Sequence, residues 1–151
     1  MNLTTKETDL LKDMKGQEKL CIDKYEKYAG EATAPELKAL FMSLADVERG
    51  HLTTISDMMA GKVSTPSGSS STGNTATVAK GNYMSEEDKK KDAFLCSDML
   101  STEKHVSALY NTGVFEFSDV QARNMLNHIQ TEEQQHGQKI YEYMSGCGMY
   151  Q

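Results

Sequence analysis

Glu48 and His51, and again Glu133 and His136, form two Glu-x-x-His pairs in a chain of 151 residues with only four histidines. Carboxylate oxygen and imidazole nitrogen together suit divalent iron and manganese. On a helix, residues three apart share a face, so both side chains of a pair can meet one metal pair. A single such pair is weak evidence, because most are solvated helix faces. These two sit elsewhere. At helical spacing around the first pair stand Phe41, Leu44 and Ile55, and around the second Leu126, Ile129 and Ile140. Each pair therefore interrupts an apolar stripe that must face a core.

Two further glutamates break apolar stripes in the same way. Glu18 falls between Met14 and Ile22, with Tyr25 two turns along; Glu103 falls between Met99 and Val106, with Tyr110 two turns along. Four helices thus send four Glu and two His inward. Unpartnered buried carboxylates cost several kcal/mol each even after relaxation. Two divalent cations supply four positive charges, which balance four carboxylates, and the imidazoles add neutral ligands. One Glu from each of two helices plus Glu-x-x-His from each of the other two is a dimetal carboxylate arrangement. The expected ligands are Glu18, Glu48, His51, Glu103, Glu133 and His136, with iron or manganese equally suited. Glu48 and Glu133 are the expected bridges, and each His serves one metal. Tyr25 and Tyr110 are candidate hydrogen-bond donors behind the ligands, with ordinary core tyrosines as the alternative. The competing reading of the whole cluster is an ancestral site that now holds protons, water or a salt-bridge network. Arg49 and Lys19 are candidates for that network, although their register places them off the core face.

The elements that position these residues are four helices of about 25–30 residues, each about 40 Å long. Thr4 and Glu7, Thr33 and Glu36, and Ser118 and Gln121 have capping-box spacing, and Ser85 precedes Glu86, Glu87 and Asp88. Gly30, Gly61 and Gly146 stand where helices can stop. The two halves superpose at an offset of 85 without a gap. Asp13/Asp98, Glu18/Glu103, Tyr25/Tyr110, Glu48/Glu133 and His51/His136 are among the identical pairs. Such a repeat predicts two helical hairpins, 1–60 and 85–146, related by a pseudo-two-fold axis. Between them, 61–84 is rich in Gly, Ser and Thr and reads as a flexible linker. As a coil its span is about 25 Å, enough for a crossover along the bundle. Residues 147–151 form a tail.

The expected class is all-α, a single antiparallel four-helix bundle. A net charge of −6 with no basic stripe argues against nucleic acid. No run is apolar enough to span a membrane, and no secretory signal is visible. Cys21, Cys96 and Cys147 are widely spaced without a CxxC, which argues against a zinc ribbon or a disulfide framework. Cys21 reads as a core thiol, Cys147 as a surface thiol or a cross-linking site, and Tyr141, Tyr143 and Tyr150 as weak candidates for oxidative cross-linking. His105, His128, Asp13 and Asp98 read as surface or supporting residues.

At the ligand residues the chain resembles the ferritin-like superfamily, which includes rubrerythrin, manganese catalase and ferritin. It resembles the coat F family of bacterial spore coat proteins more closely. SDMLSTEKHVSALYNTGVFEF at 97–117, NHIQTEEQQHGQKIYEYM at 127–144 and the ending GMYQ carry that likeness. The resemblance implies an endospore-forming bacterium, synthesis in the mother-cell cytoplasm, deposition in the spore coat, and other coat proteins as partners. It leaves homo-oligomerisation open. The ferritin-like ligand pattern maps onto all six residues named above. Cysteines for a rubredoxin centre are absent, as are the extra helix and insertions of a storage shell. Two functions follow as expectations: a structural coat protein with a dimetal site, or a dimetal oxidoreductase of peroxidase, oxidase or catalase type acting on peroxide or oxygen. Metal sequestration without turnover is a third.

Overall fold

The computed structural model describes residues 1–66 and 77–149. These contain four helices: α1 (Thr5–Glu31), α2 (Pro35–Met59), α3 (Glu86–Glu116) and α4 (Val120–Gly146). No strand occurs among the described residues. The repeat is visible in the boundaries. Glu31 ends α1 and Glu116 ends α3; Pro35 starts α2 and Val120 starts α4, each pair 85 residues apart.

Two helix starts differ from the capping-box expectation by one residue. Pro35 occupies the first turn of α2 and Ala34 is its N-cap, without a side-chain cap bond. Proline suits this position because its missing N–H would be unbonded there anyway. In α4, Asp119 rather than Ser118 caps, accepting from the Ala122 N–H. The boxes at Thr4–Glu7 and the Ser85 cap form as the sequence predicts. Gly30 lies inside α1 rather than ending it. Gly61, just beyond α2, adopts φ +82°, a left-handed conformation that glycine takes without a Cβ clash.

Side-chain pairings give the directions of the helices. Along α1 and α3, Glu7 reaches Ser118 just beyond α3, Glu18 pairs with Tyr110, and Tyr28 with Asp98. The numbers fall on one helix as they rise on the other, so α1 and α3 are antiparallel. His51 meets Glu133 and Glu48 meets His136, so α2 and α4 are antiparallel too. With tight connections inside each hairpin, α2 and α3 must then run in the same direction. α2 therefore ends at one end of the bundle and α3 begins at the other. The Met1 amino group donates to the Gly61 carbonyl at one end, and Tyr83 bonds Tyr143 and Asp92 at the other. Within the predicted linker 61–84, residues 67–76 lie outside the described residues.

Two apolar clusters fill the interior. One, around Tyr25, Phe41, Leu44, Met99 and Tyr143, lies toward the Ala34 end; the other, around Leu11, Met14, Ile55, Val106 and Leu126, lies toward the Phe117 end. Burying a side chain of this size is worth about 1.5–3 kcal/mol. Between the clusters lies a polar layer.

Candidate metal centre

Each predicted ligand comes from the apolar stripe of its own helix, and all six are buried: Glu18 on α1, Glu48 and His51 on α2, Glu103 on α3, Glu133 and His136 on α4. The apolar clusters above and below hold the helices in register, so the polar layer has no route to open water along the bundle axis. The imidazoles of His51 and His136 face each other with centroids 6.0 Å apart.

The donor atoms fall into two overlapping groups. Glu18, Glu48, His51 and Glu133 each offer an atom within 4.8 Å of the others, and so do Glu48, Glu103, Glu133 and His136. Glu48 and Glu133 belong to both groups. The contacts repeat across the pseudo-two-fold. His51 Nδ1 lies 2.9 Å from Glu133 and 3.7 Å from Glu18; His136 Nδ1 lies 2.7 Å from Glu48 and 3.5 Å from Glu103. Each His is thus closer to the shared Glu of the opposite hairpin than to the Glu on its own helix, which stands at 3.5 Å for His51 and 3.7 Å for His136.

These are ion-pair distances without hydrogen-bond geometry. Both oxygens of Glu48 and of Glu133, one oxygen each of Glu18 and Glu103, and Nδ1 of both histidines are buried without a hydrogen-bond partner. Eight such atoms facing one small space are costly, since buried polar groups ordinarily find partners. Carboxylate oxygens and imidazole nitrogens left in this state are the donor set a pair of divalent cations requires.

The surroundings support the donors. The Tyr25 hydroxyl donates to Glu103, and the Tyr110 hydroxyl donates to Glu18 at 2.5 Å. This is another symmetric pair, linking each first helix to the carboxylate of the other hairpin. Burial, with the adjacent carboxylates, pushes both phenols well above their ordinary range. Sequence reasoning missed Glu132. Its Oε1 lies 3.0 Å from His51 Nε2 and 3.2 Å from His128 Nε2. This contact engages His51 Nε2 from outside the cluster and turns Nδ1 toward the inward carboxylates. The equivalent position in the first hairpin is Val47, so the repeat offered no signal for this contact.

The electrostatics are those of crowded charge. Burial and the neighbouring Glu48 carboxyl push Glu18 up to about 8. Burial also pushes Glu48 upward, but the Glu18 carboxyl and both imidazoles outweigh it and hold Glu48 far below the ordinary carboxylate range. Burial and the Glu103 carboxyl raise Glu133. Both histidines overcome burial, which favours the neutral ring, through their carboxylate neighbours. His136 rises to about 9, and His51 rises well above its ordinary value. The crowded carboxyls and imidazoles of the cluster therefore hold on to protons.

The remaining candidates lie away from the donors or play packing roles. Arg49 pairs with Glu26 and Asp46 at the surface. Lys19 is exposed. Cys21 is fully buried, and burial with the nearby carboxylates raises its thiol, so it behaves as a core residue. Asp98 pairs with Lys24 at 2.8 Å and accepts from Tyr28. His105 and Asp13 line a surface hollow between α1 and α3. Tyr143 is buried against Tyr83, Tyr141 is exposed, and Tyr150 lies outside the described residues.

Among the described residues no helix is long and apolar enough to cross a membrane. No curated protein and no solved structure matches the chain. Residues 91–151, which carry α3 from its second turn, α4 and three of the six clustered donors, match the family model of the Coat F domain.

Proposed function

We propose that the protein is a spore coat component whose ferritin-like four-helix bundle is held together at its centre by two divalent metal ions, iron or manganese. The coat assignment rests on the Coat F match over the second hairpin. The metal assignment is carried by one observation: eight unpartnered buried donor atoms on six side chains, grouped into two sets that share Glu48 and Glu133. Glu48 and Glu133 would serve both ions, Glu18 and His51 would complete one donor set, and Glu103 and His136 the other. Bound metal supplies positive charge to the core and links all four helices. Tyr25 and Tyr110 orient Glu103 and Glu18 through their hydroxyls. Glu132 fixes the ring orientation of His51. Loading displaces the protons held by Glu18, Glu133 and the two histidines, so uptake releases acid. Other coat proteins are the partners this reading implies, and the location is the coat after synthesis in the mother cell.

A second reading, a dimetal oxidoreductase acting on peroxide or oxygen, is favoured by the surface groove that reaches Glu103 and Glu133. Metal in such a site supplies electrons to an oxidant; the protein's share is to exclude bulk water and to offer phenol protons beside the carboxylates.

The deciding measurement is metal stoichiometry by elemental analysis after anaerobic loading with Fe(II) or Mn(II), with His51→Ala/His136→Ala as comparison. The expected result is about two ions per chain, lost in the variant. A folded wild type that takes up none overturns the metal reading and leaves the coat assignment standing. Peroxide and oxygen consumption by the loaded protein then separates the enzymatic reading from the structural one.

A further inference from the structure

The two hairpins carry the same donors but cover them differently. Between α3 and α4 lies a groove of about 630 Å³ whose lining includes Glu103 and Glu133. Both side chains are more than nine-tenths buried, and Glu103 Oε2 and both oxygens of Glu133 lack hydrogen-bond partners. Ser107 and Gly137 also line this groove. At the repeat-equivalent positions the first hairpin has Ile22 and Leu52, larger and apolar. Gln134 on the groove corresponds to Arg49, whose guanidinium bridges α2 to Glu26 of α1. The first hairpin therefore sets hydrocarbon and an inter-helix ion pair over its half of the donors. The second sets a hydroxyl, a glycine and amides over its half; Lys104, also on the groove wall, has its counterpart in Lys19 of the first hairpin and does not distinguish the two.

From this difference we infer that the α3–α4 groove is the route by which a divalent cation reaches the buried donors, entering on the Glu103–His136 side. The inference rests on the dimetal reading above. A hydrated cation loses its water gradually when neutral oxygens replace it, and the amide carbonyls of Gln130 and Gln134 offer such oxygens along the groove. The carboxylates of Glu103 and Glu133 at its inner end supply the attraction. On the opposite face, the Arg49–Glu26 ion pair spans α2 and α1, and Ile22 and Leu52 offer a cation no ligand. The ion nearest the groove should exchange first, and the ion held by Glu18 and His51 should follow through the shared carboxylates.

Gly137 provides the test. A Cβ there would meet Leu100 Cδ1 at 3.6 Å, ordinary van der Waals contact, so a side chain can grow into the groove without moving the backbone. Co(II), whose visible absorption reports its coordination, serves as the probe. Uptake is followed by stopped flow in the full chain, and removal is followed after adding excess chelator. In wild type the two ions should leave in separate phases. Gly137→Leu should slow uptake and the faster removal phase by about tenfold or more, roughly 1.4 kcal/mol in barrier, with two ions still bound at equilibrium. Ser107→Ile, the first hairpin's own residue, should act in the same direction, and it carries the test if Gly137→Leu fails to fold. Two ions bound with rates indifferent to both substitutions would overturn the route while leaving the dimetal reading intact. A folded wild type that binds no Co(II) would overturn both.

Discussion

Asp92 and Glu7 occupy equivalent positions in the repeat, 85 residues apart, and tie opposite ends of the bundle. At one end Asp92, fully buried, accepts from the Thr33 N–H at 2.9 Å, the Thr33 hydroxyl and Ala34 N–H at 3.0 Å, and the Tyr83 hydroxyl at 2.7 Å. A carboxylate from α3 thereby holds the turn between α1 and α2. At the other end Glu7 accepts from the Thr4 N–H at 3.0 Å and the Ser118 N–H at 3.4 Å. A carboxylate from α1 thereby holds the turn between α3 and α4. The logic is the same, since each hairpin's first helix clasps the other hairpin's turn. The strength differs. Asp92 accepts four bonds in a dry site and anchors the chain arriving from the linker, whereas Glu7 divides its two oxygens between its own helix cap and a longer contact. The pseudosymmetry is strict at the donors of the centre and relaxed at the ends.

The comparison can be broken in several ways, and the centre gives the largest effect. In the metal-free protein His136 is raised to about 9 from 6.5, so its contribution is fully present below 6.5 and is lost as pH rises through 9. Glu18, raised to about 8 from 4.5, also binds a proton more tightly folded than unfolded, and its contribution is lost as pH rises from 4.5 through 8, overlapping the lower part of that interval. Metal-free protein should therefore lose stability between about pH 6.5 and 9, on the order of 3 kcal/mol from His136 alone. Loaded protein, its protons displaced, should show a much flatter profile. Urea denaturation at a series of pH values checks both, and a metal-free profile that rises across this interval would contradict the assignment of protons to the centre.

The ends come next. Asp92→Ala should cost about 3 kcal/mol, because it strands two backbone N–H groups and the Thr33 and Tyr83 hydroxyls. Glu7→Ala should cost about 1 kcal/mol. Equal losses in chemical denaturation would show that the two clasps are equivalent after all. Tyr25→Phe and Tyr110→Phe should each cost about 1–2 kcal/mol and agree with each other closely, because both phenols donate to an equivalent buried carboxylate. A large gap between them would place the asymmetry inside the centre as well as over it. The smallest contrast is at the surface. Asp98→Ala loses Lys24 and Tyr28 and should cost about 0.5–1 kcal/mol, whereas Asp13→Ala, exposed at its equivalent position, should be near neutral.

Helical periodicity is a local property, and it sufficed to name Glu18, Glu48, His51, Glu103, Glu133 and His136 as inward-facing. An interval of 3.6 residues fixes the face of a side chain once the segment is helical. The gapless offset of 85 likewise fixed the repeated hairpin, because the turn lengths are written in the chain. At α2 and α4 the N-cap lies one residue later than the capping-box spacing predicts. There a proline at 35 and the carboxylate of Asp119 won over the hydroxyls of Thr33 and Ser118.

Other features depend on which helix packs against which, and no spacing along the chain encodes that. Only packing brings Asp92 to the turn at Thr33, Glu132 to the ring of His51, and each imidazole closer to the opposite hairpin's glutamate than to its own. The groove over Glu103 and Glu133 has the same origin. Serine and glycine are unremarkable in a helix sequence; they open a path only because α3 and α4 pack with those positions facing each other over buried carboxylates. By itself the sequence determined which side chains turn inward and how the chain repeats. The tertiary structure decided their partners and their exposure, because both depend on the distances between helices.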